Sequence, residues 1–510
     1  MPGLLWAPAS TPPADGCFHS MSTLRNSLLW SVGGRYLTLA LQLLAFVVLA
    51  RLLTPEDVGL YSVAAALIGL TQVLREFGVG TYLIQEKELT PARIRTAFTL
   101  SLLFSATLCL AVLVLARPIA DFYREPRLEA VTRVLALSFL LIPFGSTALA
   151  ILNRDMRFKA LFWISTSSAV LSQLAALGFA ALGFGYWSLV WSSLVATGVS
   201  VTGAAIAARG GLLHKPTLGE WRRVLNFGSQ LVAGRIVSEL SLSFNDLVVG
   251  RVLGLAEVGI LSRAQGVMNL AHRDFLNAIR NVALPAFAKA HREGSDVDLL
   301  HAKFVANAAA FAWPFYGLLA LFPLEALRLL FGPQWDAAAP LVPVFCAAGA
   351  LAVLWSFASS ALTACGHIGT TTRIELAIQP IRLGLLAACA YLFPRLEAFA
   401  WALLLVYALN VFVALGLKQT RLPTEFPRLF ARLGPSASLA LATLSPAILV
   451  RALQAGGIVE SSLAEFVTSA ALCALAWMLA LATLGHPLLD DPAFARIKTL
   501  LARIGLARSS

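Results

Sequence analysis

The sequence predicts an all-α, polytopic integral membrane protein, and three observations lead there. Of 510 residues, 58% are hydrophobic and only 13% charged, against roughly 45–50% and about 25% in an average soluble domain. The apolar residues gather into runs of about twenty or more, the length that crosses a bilayer as a helix. None of these runs alternates at period two, so a β-barrel is excluded. Charged side chains are too few to cover two or three soluble domains, and most of the surface must face lipid.

The runs fall at about 27–50, 58–83, 97–116, 130–152, 162–183, 187–208, 225–250, 257–284, 304–324, 338–363, 374–393, 396–416, 434–453 and 463–485. Fourteen spans of about 20 residues use about 280 and leave no room for a separate soluble catalytic domain. Residues 1–20 hold four prolines and neither Lys nor Arg, unlike a secretory signal. A second methionine, Met21, opens a polar lead into the first run. Residues 1–20 are therefore expected to be a disordered leader or to precede the true start. With the N-terminus in the cytoplasm, all seven lysines fall on the cytoplasmic side, so both termini are placed there.

The net charge of +12 then reflects cationic loops and a cationic interior; no basic run interleaved with aromatics points to nucleic acid. The six cysteines are scattered and the histidines stand singly, without CxxC or HExxH spacing. Neither a disulfide framework nor a metal site is expected.

Sliding the chain by 200 residues against itself aligns Arg51–Ser62 (RLLTPEDVGLYS) with Arg251–Ser262 (RVLGLAEVGILS). The register continues backwards through Asn26/Asn226, Val32/Val232, Gly34/Gly234, Arg35/Arg235 and Val48/Val248, with twelve identities in the 45 positions from 26 to 70. Six spans separate the copies, so both cross the membrane in the same direction. Such parallel repeats, related about an axis along the membrane normal, are one of the symmetries of secondary transporters. The expected organisation is one lobe over 21–210, a second over 211–420, a final helix pair over 421–485 and a cytoplasmic tail over 486–510.

The repeated runs carry charge that lipid does not tolerate, at a cost of about 3 kcal/mol for each charged group at the bilayer centre. In the run 225–250, Arg235, Glu239 and Asp246 lie within about 40° of one another on a helical wheel. In the run 257–284, Asn269, Arg273, Asn277 and Arg280 share a face, while Arg35 repeats the theme in the first run. Arg35, Arg235, Arg273 and Arg280 have too few acidic partners nearby. A cationic surplus inside a membrane implies an anionic guest, and the guanidinium fork suits phosphate. Asn277 is grouped with these arginines as a ligand, and Glu239 and Asp246 are candidates for taking up a coupling proton or sodium ion. No P-loop pattern occurs, which disfavours direct ATP hydrolysis.

Residues 50–61 (ARLLTPEDVGLY), 75–80 (REFGVG), 227–230 (FGSQ) and 250–254 (GRVLG) resemble the Wzx-type, particularly WzxC-like, polysaccharide flippases of the multidrug/oligosaccharidyl-lipid/polysaccharide superfamily. The resemblance covers about residues 21–485. It implies a V-shaped cavity between two six-helix lobes, and movement of an undecaprenyl-pyrophosphate-linked oligosaccharide across the bacterial inner membrane by alternating access. That function serves lipopolysaccharide, capsule or exopolysaccharide synthesis without enzymatic chemistry or a cofactor, beside membrane lipid, a glycan polymerase and a chain-length regulator. The rival readings are a multidrug or lipid II exporter of the same superfamily, or a membrane glycan polymerase or ligase. The polymerase or ligase would carry a large outer loop, whereas the longest outer connections here, near 117–129 and 325–337, are about a dozen residues.

Overall fold

A computed structural model of the chain describes residues 41–490 apart from 77, 209–216, 220, 273 and 458–461, and every regular element among them is helical. The helices are α1 (Leu41–Leu52), α2 (Pro55–Glu76), α3 (Val79–Gln85), α4 (Pro91–Tyr123), α5 (Arg127–Arg154), α6 (Phe158–Ala181) and α7 (Tyr186–Ala207). They continue as α8 (Trp221–Val252), α9 (Leu255–His272), α10 (Asp274–Arg292), α11 (Val297–Leu321) and α12 (Pro323–Leu330). After a 3-10 segment (Pro333–Leu341) come α13 (Val342–Trp355), α14 (Ala358–Ala364), α15 (Ile368–Leu392), α16 (Leu396–Gln419), α17 (Phe426–Ala455) and α18 (Leu463–Thr483).

Eleven stretches among the described residues are long and apolar enough to cross a membrane. Of the other three expected spans, only Leu41–Leu52 of the first is described. The remaining two coincide with α8 and with α9 and α10, where the polar stripes lower the hydropathy.

The connections expected at 117–129 and 325–337 are mostly helical. The helix α4 runs on to Tyr123, while α12 and the 3-10 segment fill the second. Pro323 and Pro333 sit in first turns, where proline's missing N–H has no intrahelical partner to lose. A tryptophan near a helix end, as Trp335 is, is expected from the sequence to anchor at the membrane interface; Trp335 is instead wholly buried, with its indole N–H donating to the Ala50 carbonyl at 2.7 Å.

The chain divides into two compact units. The first comprises Met1–Leu49, Arg75–Ala111 and Val134–Ser229. Its core gathers Val79, Tyr82 and Leu83 with Ala97, Leu100, Ala150 and Val224. Arg154 closes the end of α3 by donating to the carbonyls of Leu83 at 2.9 Å and Glu86 at 2.5 Å, oxygens a helix terminus leaves without intrahelical partners. The hydroxyl-rich stretch Ser165–Ser168 belongs to a packing face: the Ser168 hydroxyl donates across to Ala196 of α7 at 2.7 Å. Gly203 lets Ile164 approach so closely that a β-carbon there would come to 3.1 Å, the small-residue contact by which membrane helices pack.

The second unit comprises Ala50–Leu74, Val112–Arg133 and Gln230–Ser510. Its central helix is α11, whose Ala302, Ala306, Ala308, Ala309, Ala310 and Ala312 are buried against α13 and α17. Beside it, α15 and α16 pair, as do α17 and α18. The segment after α18 folds back so that Leu488 and Leu489 join Ala310, Leu439, Ala480 and Leu481 in one apolar cluster.

Candidate functional site

The helix α10 buries a stripe of Leu276, Ala283 and Phe287, each at 0% exposure. Arg280 lies in this stripe, at the spacing i, i+4, i+7 that shares one helical face. Its Nη1 donates to Asn277 Oδ1 at 3.2 Å and its Nη2 to Ser356 Oγ at 3.3 Å, while Nε is buried without a partner. The Ser356 hydroxyl itself donates to the Ala352 carbonyl at 2.6 Å, which leaves its oxygen free to accept. Among the described residues no carboxylate pairs with Arg280. Two neutral acceptors thus hold a full positive charge inside the helical bundle. Asn277 is exposed and positions the guanidinium.

The acids expected on α8 are also brought inward. The Glu239 carboxylate is half-buried over Gly69, where a β-carbon would come to 2.7 Å from Oε1. Gly69 therefore supplies the room this carboxylate occupies. Asp246 is half-buried and follows Asn245, which is buried with an unpartnered Oδ1. Neither Glu239 nor Asp246 has an ion-pair partner among the described residues. The backbone of Arg235 lies in α8; its side chain, Arg35 and Arg273 fall outside the described residues.

The repeated arginines Arg51 and Arg251 hold equivalent ends of the two copies. Arg51 Nη2 donates to the Leu329 carbonyl at 2.5 Å, and Arg251 lies over the Phe122 ring at 4.7 Å, a cation–π contact. Nearby, Tyr123 Oη donates to the Leu247 carbonyl at 3.2 Å. Each copy's end is thus fastened to the helical connection belonging to the other, and Gly59 of α2 meets Gly259 of α9 between them.

Sequence reasoning missed two further arginines. Arg263 is buried with its guanidinium 5.0 Å from the Trp335 ring and 5.6 Å from Phe331, where aromatic faces stabilise the charge. Arg382 stands near the middle of α15; its one sequence signal was an arginine inside the apolar run 374–393. No group of three or more metal-ligating side chains occurs among the described residues.

A helical, multi-pass chain with charged helices inside it is the architecture of a membrane transporter, and the solved structures it resembles fix the fold further. It superposes on the lipid II flippase MurJ in an inward closed conformation with a TM-score of 0.70 and 12% identity, over 89% of this chain and 98% of that one. With an inward-facing multidrug resistance MATE family transporter of the MOP superfamily the score is 0.60 at 14% identity, over 76% and 94%. The fold is shared with both of these proteins.

The chain belongs to the polysaccharide biosynthesis protein family, which it matches over residues 48–340. It is 25% identical over 330 residues to the lipopolysaccharide biosynthesis protein WzxC of Escherichia coli (strain K12), covering 63% of this chain and 66% of that one. To the succinoglycan biosynthesis transport protein ExoT of Rhizobium meliloti (strain 1021) it is 24% identical over 334 residues, covering 63% and 65%. The alignments thus span about two thirds of these relatives' lengths. The Wzx-type resemblance seen in the sequence is borne out.

Proposed function

We propose that this protein is a flippase that moves an undecaprenyl-pyrophosphate-linked oligosaccharide from the cytoplasmic to the periplasmic leaflet of the bacterial inner membrane, for lipopolysaccharide, capsule or exopolysaccharide synthesis. Both termini lie in the cytoplasm, and a glycan polymerase and chain-length regulator act on the delivered units. The observation that carries this reading is Arg280, a half-buried guanidinium inside the helical bundle whose partners among the described residues are Asn277 and Ser356. A buried charge without a counter-charge is costly, and a pyrophosphate supplies that counter-charge only while it is bound. The names of the relatives support a glycan as the rest of the passenger.

Alternating access follows from the repeated copies. Arg35, Arg235 and Arg273 are the further candidate ligands for the anionic passenger, and Glu239 or Asp246 takes up the coupling proton or sodium ion that resets the carrier.

The test is polysaccharide output together with the pool of lipid-linked precursor in a strain whose only copy is Arg280→Gln. Output is expected to fall at least tenfold while precursor accumulates, with Arg280→Lys partly active. Normal output without accumulation would sink the reading, and rescue of cells depleted of their lipid II flippase would replace it with the lipid II exporter.

A further inference from the structure

The helix α15 carries Glu375, Gln379 and Arg382 at the spacing i, i+4, i+7, which places them on one face. Gln379 Nε2 donates to Glu375 Oε2 at 3.1 Å, and its Oε1 is left buried without a partner. Arg382 is half-buried, its Nε is buried and unpartnered, and no carboxylate among the described residues reaches ion-pair distance. Glu375, seven residues back, acts on it only through the longer-range field.

The neighbouring helix α16 presents matching groups. The two helices pack as antiparallel neighbours, with Ile374 and Ala414 in one apolar cluster, a register that sets Arg382 level with Tyr407. In that register Gln379 falls level with Asn410, whose Oδ1 is also buried and unpartnered. On α11, the buried Tyr316 hydroxyl is again without a partner. Buried polar atoms in native proteins are nearly always satisfied. Here the open atoms gather around a guanidinium with no carboxylate at ion-pair distance among the described residues.

We propose that Arg382, Gln379 and Asn410 form a second binding position, for an oxyanion flanked by hydroxyl groups: a sugar acid or a sugar phosphate of the transported glycan. The guanidinium takes the oxyanion through paired N–H donors. The amide oxygens of Gln379 and Asn410 accept from the adjacent sugar hydroxyls, a pairing that a bare inorganic anion does not offer them. The proposal rests on the glycan-transport reading for its ligand, and it adds recognition of the carbohydrate to recognition of the lipid linkage by Arg280.

Binding to the purified full-length protein in nanodiscs tests it, with D-glucuronate, glucose 1-phosphate and glucose as probes and thermal shift as the readout. The wild type is expected to bind one or both charged probes at least tenfold more tightly than glucose. Arg382→Gln should remove that preference, Arg382→Lys retain part of it, and Asn410→Leu weaken all three probes while leaving the charge preference. Size-exclusion profiles check that each variant is folded; should Arg382→Gln be misfolded, Arg382→Lys and Asn410→Leu decide.

Preference for glucuronate assigns the position to an acidic sugar, and preference for the phosphate to a sugar phosphate. Equal binding of glucose and the acids, no binding of any probe, or an unchanged preference in Arg382→Gln overturns the proposal. Export by Arg280 variants is measured separately, so the transport reading and this position can fail independently.

Discussion

Gly59 and Gly259 meet in a reciprocal contact whose partners are related by the 200-residue repeat. A β-carbon on Gly59 would lie 1.7 Å from the Leu255 carbonyl oxygen and 3.1 Å from the Gly259 nitrogen. One on Gly259 would lie 2.0 Å from the carbonyl oxygen of Pro55. Residue 55 corresponds to 255 and 59 to 259, so each copy offers the other the same two groups. That is the isologous geometry of a two-fold relation, here within one chain.

Any side chain at either glycine must push the two helix starts apart. Gly59→Ala and Gly259→Ala are each expected to destabilise the detergent-purified protein by about 1–3 kcal/mol, the usual penalty of overpacking. Because both act on one contact, the double variant should lose clearly less than the sum of the single losses. Thermal unfolding of the four proteins measures this; strictly additive losses would show that the glycines do not share a contact.

A buried ion pair makes a second case. Lys418 is fully buried, with Nζ 2.9 Å from Asp298 Oδ1 and 2.7 Å from Thr424 Oγ1. Asp298 also accepts from the Glu425 backbone N–H at 3.0 Å, so one carboxylate ties the start of α11 to the link between α16 and α17. Asp298→Ala leaves the ammonium buried and unpaired, and a loss of about 3–5 kcal/mol is expected. Lys418→Met combined with Asp298→Leu should recover most of it, since an apolar pair of similar volume is often neutral. The comparison of the two melting curves is the measurement.

Much of the fold was legible because membrane spans announce themselves by length and hydropathy. The repeat was legible because Arg51/Arg251 and Gly59/Gly259 keep one register that apolar drift does not reproduce. Arg280 was visible as a cation in a polar helix. Arg382 was not singled out: a lone arginine in an apolar run reads equally as a side chain reaching the interface, and only the open atoms of Gln379 and Asn410 beside it distinguish the two. Trp335 misled for a related reason. Its contact with Ala50 spans 285 residues, and no local pattern separates a buried indole from an interfacial one. Lys418 likewise read as a loop cation until Asp298, 120 residues away, appeared beside it.

Asp246 gives a prediction about energy coupling. Its carboxylate is half-buried in α8 without an ion-pair partner among the described residues, next to the open Asn245 Oδ1. A group that exchanges a proton or sodium ion during the cycle needs a carboxylate that no resident cation holds. In proteoliposomes, Asp246→Asn is expected to abolish the stimulation of lipid-linked glycan movement by an imposed proton or sodium gradient, while binding of the glycan changes less than threefold. Gradient stimulation at the wild-type level in this variant would remove Asp246 from the coupling step.

His486 lies outside the spans and sets a pH dependence of stability. The imidazole is buried, with Nδ1 accepting from the Leu488 backbone N–H at 3.1 Å and Nε2 3.0 Å from Ser436 Oγ. The Ser436 hydroxyl donates to the Ala306 carbonyl at 2.9 Å, so Nε2 carries the proton and the ring must be neutral. Burial holds its pKa below the usual histidine value. Above about pH 6.5 the ring is neutral both folded and unfolded, and it contributes no pH dependence. As pH falls through that value the unfolded chain gains a proton that the folded site refuses, so stability is lost. The carboxylates of Asp296 and Glu125 are lowered as well, Asp296 chiefly by the Leu299 N–H and Glu125 chiefly by Arg127, and the stability they contribute is lost only as pH falls into the carboxylate range. His486→Gln should therefore melt lower at pH 7.5, by roughly 1 kcal/mol for the altered hydrogen bonds, yet lose less than the wild type between pH 7 and pH 5.5. Parallel melting curves across that interval would mean that His486 is not the group responsible.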